Sequence, residues 1–222
     1  MKLTIFAASG GIGRQLLGQA LAAGHEVTAV VRNPDSLPAG RFRTVAADLA
    51  VADPVALEPA VAGADAVLSA LGPRSASEAG VASKGTRAIV QAMQATGVRR
   101  LVVVSAAPIA TVASPGRPKP PGHDPGDGFW MRHLLGPLVK AALRKPYADL
   151  ALMEDVVRDS GLDWTVVRPP RLTDKPATGA YRTAYGHNLR RGLLVSRADV
   201  AHLMLRVLGQ PETVKQAVGI AN

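Results

Sequence analysis

At 222 residues the chain is long enough for one domain with a small appended lobe and a sizeable core, and its 47% hydrophobic and 19% charged content is globular rather than disordered. The absence of cysteine excludes disulfides, thiolate metal sites and cysteine nucleophiles, and makes a reducing cytoplasm the expected compartment. A net charge of +9 raises nucleic acid as a partner, but the basic residues are dispersed and aromatics make up only 4%; without interleaved stacking groups no nucleic acid is expected.

Met1-Lys2 leads straight into an apolar, β-favouring run, Leu3-Thr4-Ile5-Phe6-Ala7, so no signal peptide is expected there. No apolar run reaches the roughly 20 residues of a membrane-spanning helix, so no membrane partner is expected either. The run ends in Ala7-Ala8-Ser9-Gly10-Gly11-Ile12-Gly13, and a helical pattern rich in alanine and leucine follows to Ala22-Ala23-Gly24. Strand, glycine turn and helix in this order are the first unit of a doubly wound sheet that seats a dinucleotide. Ala7 stands where the fingerprint has its first glycine, while Gly10 and Gly13 keep the remaining G-x-x-G. The glycines let a pyrophosphate approach the backbone, and the helix start supplies unpaired N–H groups and a positive dipole end. The competing reading is a tight turn that binds nothing.

The second strand, 26–31, ends at Arg32-Asn33-Pro34. An NAD site usually carries an acidic residue here, about twenty positions past the glycines, against the ribose 2′-hydroxyl. Arg32 would instead attract a 2′-phosphate, which favours NADPH over NADH; an arginine merely exposed at a strand end is the alternative. A third strand, 43–47, closes on Asp48-Leu49. Asp48 either lies beside an adenine or holds its own loop through nearby N–H groups. Asp53-Pro54 opens a helix as N-cap and N1 proline. A fourth strand, 65–70, leads into Leu71-Gly72-Pro73, and a helix is expected over 83–96 with Gly97 as its cap.

Four consecutive apolar residues before Ser105 mark the fifth strand, 101–105, as central and buried on both faces. Ser105 then points to the nicotinamide region. The alternation of strands and helices up to this point gives an α/β class with a mostly parallel sheet. A Pro/Gly-rich insertion follows at about 108–128, and a basic helix is expected from Phe129 through Leu143. This insertion is read as a lid over the nicotinamide end, against a surface excursion. An amphipathic helix over 147–160, a sixth strand over 163–168, a polar stretch with a short strand at 180–184, and a last helix capped by Ser196 and running to Leu208 complete the chain, with a terminal strand to follow. Asp149, Glu154, Asp155 and Asp159 fall on the polar side of their helix and are read as solvated, paired with nearby arginines. His123, His133, His187 and His202 lack metal-ligand spacing, so no metal site is expected.

The glycine run, Val30-Val31-Arg32, Ala47-Asp48, Ser69-Ala70-Leu71-Gly72, Val104-Ser105-Ala106, the stretch Leu162-Asp163-Trp164-Thr165-Val166-Val167-Arg168-Pro169 and Val195-Ser196-Arg197-Ala198-Asp199-Val200-Ala201 together resemble the atypical short-chain dehydrogenase/reductase superfamily. Within it the chain is similar to the NAD(P)H-binding, NmrA-like branch that includes biliverdin-IX-beta/flavin reductase. The similarity covers nearly the whole chain except about 108–146. It implies a single Rossmann-like NAD(P)-binding domain over 1–222: a doubly wound, mostly parallel sheet with helices on both faces and a small C-terminal substrate-side lobe at about 169–195. The implied cofactor seat is Ala7, Ser9, Gly10, Gly11, Ile12, Gly13, Arg32, Asp48, Leu49, Ala70, Leu71, Gly72, Ser105, Ala106 and Pro169, with NADP as cofactor.

Two departures bear on the chemistry. The flavin-reductase branch carries a histidine after its paired prolines, where this chain has Arg171, pointing to a different, negatively charged substrate. The tyrosine-x-x-x-lysine pair is also absent: four residues beyond Tyr147, Tyr181 and Tyr185 stand Ala151, Tyr185 and Leu189. No tyrosine has a lysine on its own helix face to make it a proton donor. Hydride transfer to a flat conjugated acceptor, such as a flavin or quinone, needs no such donor because solvent can supply the proton. The expected function is therefore an NADPH-dependent reductase of a small-molecule acceptor, with Ser105 and Arg171 as candidate catalytic residues. The alternative is an NADP(H)-sensing NmrA-like regulator without turnover. Oligomeric state is left open.

Overall fold

The computed structural model describes residues 1–73, 78–126 and 143–222. Ten strands and five α-helices lie along them. The first half contains β1 (Lys2–Phe6), α1 (Gly11–Ala22), β2 (Glu26–Val31), β3 (Arg43–Ala46), α2 (Pro54–Val61), β4 (Ala66–Ser69), α3 (Val81–Thr96) and β5 (Arg100–Val104). The second contains α4 (Arg144–Asp159), β6 (Asp163–Arg168), β7 (Arg171–Thr173), β8 (Arg182–Tyr185), β9 (Leu194–Ser196), α5 (Arg197–Arg206) and β10 (Gln216–Ala221). Eight strands form one sheet in the order β3-β2-β1-β4-β5-β6-β10-β8. All neighbours are parallel except β8, which runs antiparallel to β10. The chain moves outward from β1 in one direction and from β4 in the other, so the order reverses between them. A crevice opens at that reversal, at the carboxyl ends of the strands, where ligands of such sheets collect.

The strand pleat divides the core. Phe6, Val67, Leu101, Val103 and Val166 face α2, α3 and α4, where they meet Leu57, Ile89, Met93, Met153 and Val157. Leu3, Ile5, Ala66, Leu68, Val102 and Val104 face the other way and meet Leu16 and Leu17 of α1 and Leu203 and Met204 of α5. Covering both faces explains why the central strands read as unbroken apolar runs.

Three sequence expectations are revised. α4 begins at Arg144, three residues earlier than expected, and takes Pro146 into its first turn, where a missing N–H costs no helical hydrogen bond. The polar stretch expected over 173–191 is flanked by a second sheet in which β7 pairs with β9 in parallel; three-residue strands give too short a pattern to read. Within its described part the insertion, read as a lid, does not line the crevice. A 3₁₀ turn over Ala107–Thr111 and a tight turn joining Ser114 to Arg117 pin it to the outside of α4: the Ser114 hydroxyl and the Gly116 N–H donate to Asp155. Farther on, the Asn188 N–H donates to Asp124 Oδ1, tying the insertion to the segment between β8 and β9. The helix expected from Phe129 lies outside the described residues, apart from its last position.

Candidate functional site

The glycine turn is built by a conformational exception. Ala7 has φ +55°, a left-handed backbone that glycine adopts more readily, and its carbonyl accepts the Gly10 N–H at 2.9 Å. Gly13 lies so close beneath that a Cβ there would stand 2.1 Å from the same carbonyl oxygen. The absence of a side chain at Gly13 is therefore what lets α1 begin directly under the turn. No side chain caps α1, leaving its first-turn N–H groups for a ligand. The start of α3 differs: Asp149 of α4 accepts the Ala82 and Ser83 N–H groups and the Ser83 hydroxyl. Of these two helix starts, only α1's opens onto the crevice without a carboxylate already in place.

The crevice has a volume of about 670 Å³. Ala7, Ser9, Gly10, Gly11, Ile12, Arg32, Asp48, Leu49, Ala70, Leu71, Gly72 and Ser105 all line it. Gly13, Ala106 and Pro169 do not: Gly13 works from behind the turn, and the Pro169 carbonyl accepts the Ala107 N–H beyond the sheet end. At one end the exposed Arg32 pairs with Glu78 at 3.8 Å. Glu78, remote from Arg32 in sequence, arrives there from the stretch before α3. Asp48 is exposed and accepts the Ala50 N–H, so it does hold its own loop. At the other end Val104, Leu143, Pro146, Tyr147, Leu150 and Leu172 form an apolar wall. Tyr147 sits here in the helix after β5, its phenol pKa raised by burial. Position 151, one helical turn on, is alanine, so no lysine follows Tyr147 on its own helix face.

Asp159 is exposed as read, but beneath this end two acids of α4 depart from the solvated reading. Glu154 is fully buried and Asp149 nearly so. Arg168 grips Glu154 with two hydrogen bonds, Nε to Oε1 at 2.9 Å and Nη2 to Oε2 at 2.5 Å. Arg158 donates to Oε2, and the Ser105 hydroxyl donates to Oε1 at 2.8 Å. Burial pushes the Glu154 pKa up, but the hydrogen bond and charge of Arg168, the charge of Arg158 and the Ser105 hydroxyl outweigh it and hold the group below the usual carboxylate range. The helix period places these acids on one stripe but cannot show that β6 brings an arginine into that stripe. Asp155 does pair with Arg158, so part of the arginine expectation is met.

Arg171, the other catalytic candidate, is exposed and does not line the crevice; its neighbour Leu172 does, because successive strand residues face opposite ways. The sequence reading also passed over Arg197, the first residue of α5, which lines the crevice directly after β9 and pairs with Asp174. Among the described residues no cluster of three or more His, Asp or Glu side chains could hold a metal ion, and no helix is long and apolar enough to cross a membrane.

A parallel sheet with a glycine turn at its point of reversal defines a dinucleotide-binding protein of the Rossmann type. The chain belongs to the NAD(P)H-binding family, whose domain model matches residues 7–211. It is 36% identical over 106 residues to an uncharacterised protein of Mycobacterium tuberculosis, a match covering 47% of this chain and 12% of that protein. Over 98% of its length, and 92% of the relative's, it is 28% identical to the uncharacterised sugar epimerase YhfK of Bacillus subtilis. Solved structures share the fold, two of which illustrate it. One is ChuY, an anaerobilin reductase of Escherichia coli O157:H7, with TM-score 0.76, 23% identity, and coverage of 100% of this chain and 97% of that one. The other is a short-chain dehydrogenase/reductase of Veillonella parvula in complex with NADP, with TM-score 0.75, 19% identity, and coverage of 100% and 94%.

Proposed function

We propose that the protein is an NADPH-dependent reductase of a flat, conjugated small-molecule acceptor. The cofactor seat has physical support: a cradle that a side chain on Gly13 would fill, and an uncapped helix start facing the crevice. The glycine turn and α1 would take the diphosphate, Arg32 the 2′-phosphate, and the loops after β3 and β4 the adenosine half. Bound there, the nicotinamide supplies a hydride. The apolar residues at the far end of the crevice would orient an acceptor beside it and exclude water, while solvent would supply the proton that completes a two-electron reduction.

The observation that carries this reading is the open apolar wall of Val104, Pro146, Tyr147, Leu150 and Leu172 at the far end of the crevice. A sensor of cofactor needs a closed seat, whereas an acceptor must enter beside the nicotinamide. Sugar-nucleotide epimerisation, suggested by the name of the Bacillus subtilis relative, is disfavoured by the missing tyrosine-lysine pair. The test is absorbance at the nicotinamide band with purified protein, NADPH and a panel of flavins and quinones. Oxidation well above the uncatalysed rate, reduced when Leu172 is replaced by Asp, is the expected result. Tight NADPH binding without turnover on any acceptor would leave the sensor as the better account.

A further inference from the structure

Arg197 contacts the glycine turn from the opposite side of the molecule's sequence. Its side chain lies across the start of α1, so that a Cβ on Gly11 would stand 2.6 Å from its Cδ and 2.7 Å from its Nε. The space a side chain would occupy at Gly11 is thus taken by an arginine from α5. The Arg197 guanidinium lines the crevice and donates from Nη1 to Asp174 Oδ1 at 2.6 Å.

Two features are unexpected for an arginine serving only the fold. It is the first residue of α5, at the positive end of a helix dipole, where a cation is disfavoured. The cap there is already complete without it, since Ser196 accepts the Asp199 N–H and donates its hydroxyl to the Asp199 carboxylate. Its partner Asp174 has a side chain 87% exposed, and an ion pair with so exposed a partner contributes little to stability. A planar guanidinium beside uncapped helix N–H groups matches the oxygens of a phosphate better than it matches a solvated carboxylate.

We propose that Arg197 is a binding residue for the diphosphate of the dinucleotide. The guanidinium leaves Asp174 for the phosphate oxygens, and because Arg197 follows β9 directly, this fastens the β7–β9 lobe, with Leu172, to the glycine turn. The inference rests on the cofactor reading above, in a family that binds NAD(P)H.

The test is the dissociation constant of NADPH and of NADH, measured by titration of the full chain without any acceptor. NADPH and NADH share the diphosphate, so Arg197→Gln should weaken both by the same factor, about tenfold to a hundredfold for a lost charged hydrogen bond. Arg197→Lys, which keeps the charge but not the fork, should fall between. Asp174→Asn removes the competing carboxylate from an exposed position and should tighten both cofactors by up to about fivefold. That gain should vanish in the Arg197→Gln background. A general loss of structure would not produce the Asp174→Asn gain. Wild-type affinity in Arg197→Gln, a loss confined to NADPH, unchanged affinity in Asp174→Asn, or a gain that persists without Arg197 would each overturn the assignment. A wild-type protein that binds neither cofactor would instead overturn the cofactor reading, and the inference with it.

Discussion

Ser105 donates its only hydroxyl hydrogen to Glu154 Oε1, 2.8 Å away. Glu154 is fully buried, held by two arginines and kept below the usual carboxylate range, so near neutral pH it is an acceptor and nothing else. Ser105 therefore meets the crevice through its remaining lone pairs. It can accept a hydrogen bond from an N–H of the nicotinamide amide or of the acceptor, but it cannot donate to a carbonyl oxygen. Ser105→Ala should lower kcat of the reductase about three- to tenfold, the worth of one neutral hydrogen bond, with little change in NADPH affinity. Steady-state rates beside a binding titration check this. A loss of many thousandfold would show that Ser105 does chemistry and not positioning.

The same cluster sets an acid limit on stability. Folded Glu154 holds its proton less tightly than an ordinary glutamate near 4.5, and Asp199 is shifted in the same direction. Burial pushes Asp199 up, but the Thr178 and Gly179 N–H groups and the Ser196 and Thr178 hydroxyls more than offset it. In acid the unfolded chain binds more protons, so both groups stabilise the fold above about pH 4.5, and that contribution is lost as pH falls through their folded values. Denaturant melts between pH 7 and 3 should show stability declining below about pH 4.5, with a shallower decline in Asp199→Asn. Glu154→Gln leaves Arg168 buried beside a neutral partner and should cost about 3–5 kcal/mol at pH 7.

Arg32 and Glu78, 3.8 Å apart and both partly in solvent, face the end of the crevice assigned to the 2′-phosphate. Arg32→Asp should weaken NADPH far more than NADH, because only NADPH carries the charge that Arg32 would meet. Glu78→Gln should act in the opposite direction, tightening NADPH several-fold by removing a nearby negative charge. Equal effects on the two cofactors in either variant would show that this pair does not read the 2′-phosphate.

Most of the sheet was legible because its signals are local. A strand of alternating or continuous apolar residues, a glycine turn and a capped helix each announce themselves within a dozen positions. What was not legible depends on partners remote in sequence. Asp149 and Glu154 look like solvated acids on an amphipathic helix until α3 brings two N–H groups to one and β6 brings Arg168 to the other. Arg197 looks like part of a capping sequence until the packing of α5 on α1 lays it over Gly11. Within the turn the two levels agree: Gly13→Ala would drive a Cβ to 2.1 Å from the Ala7 carbonyl and should abolish stable folding or cofactor binding. Ala7→Gly, at φ +55°, should leave the melting temperature no lower than wild type. A thermal melt of each variant separates the two effects.

Arg171 and Leu172 were distinguished only by the direction of a three-residue strand. In sequence the arginine was the more informative of the two, since it replaces an expected histidine and suggests an anionic substrate. In the fold β7 turns Arg171 to solvent and presents Leu172 to the crevice. On the proposed function, the charge is thus removed from the acceptor's path, and an apolar surface is left for a conjugated ring to lie against. Arg171→Ala should leave kcat and KM for the acceptor within a factor of two. Leu172→Asp should raise the acceptor KM at least tenfold, by replacing an apolar contact with a charge that must lose water when the acceptor binds, while NADPH affinity stays close to wild type. Steady-state kinetics on both variants decide the matter, and a large KM effect from Arg171→Ala alone would restore the arginine, and an anionic substrate, to the site.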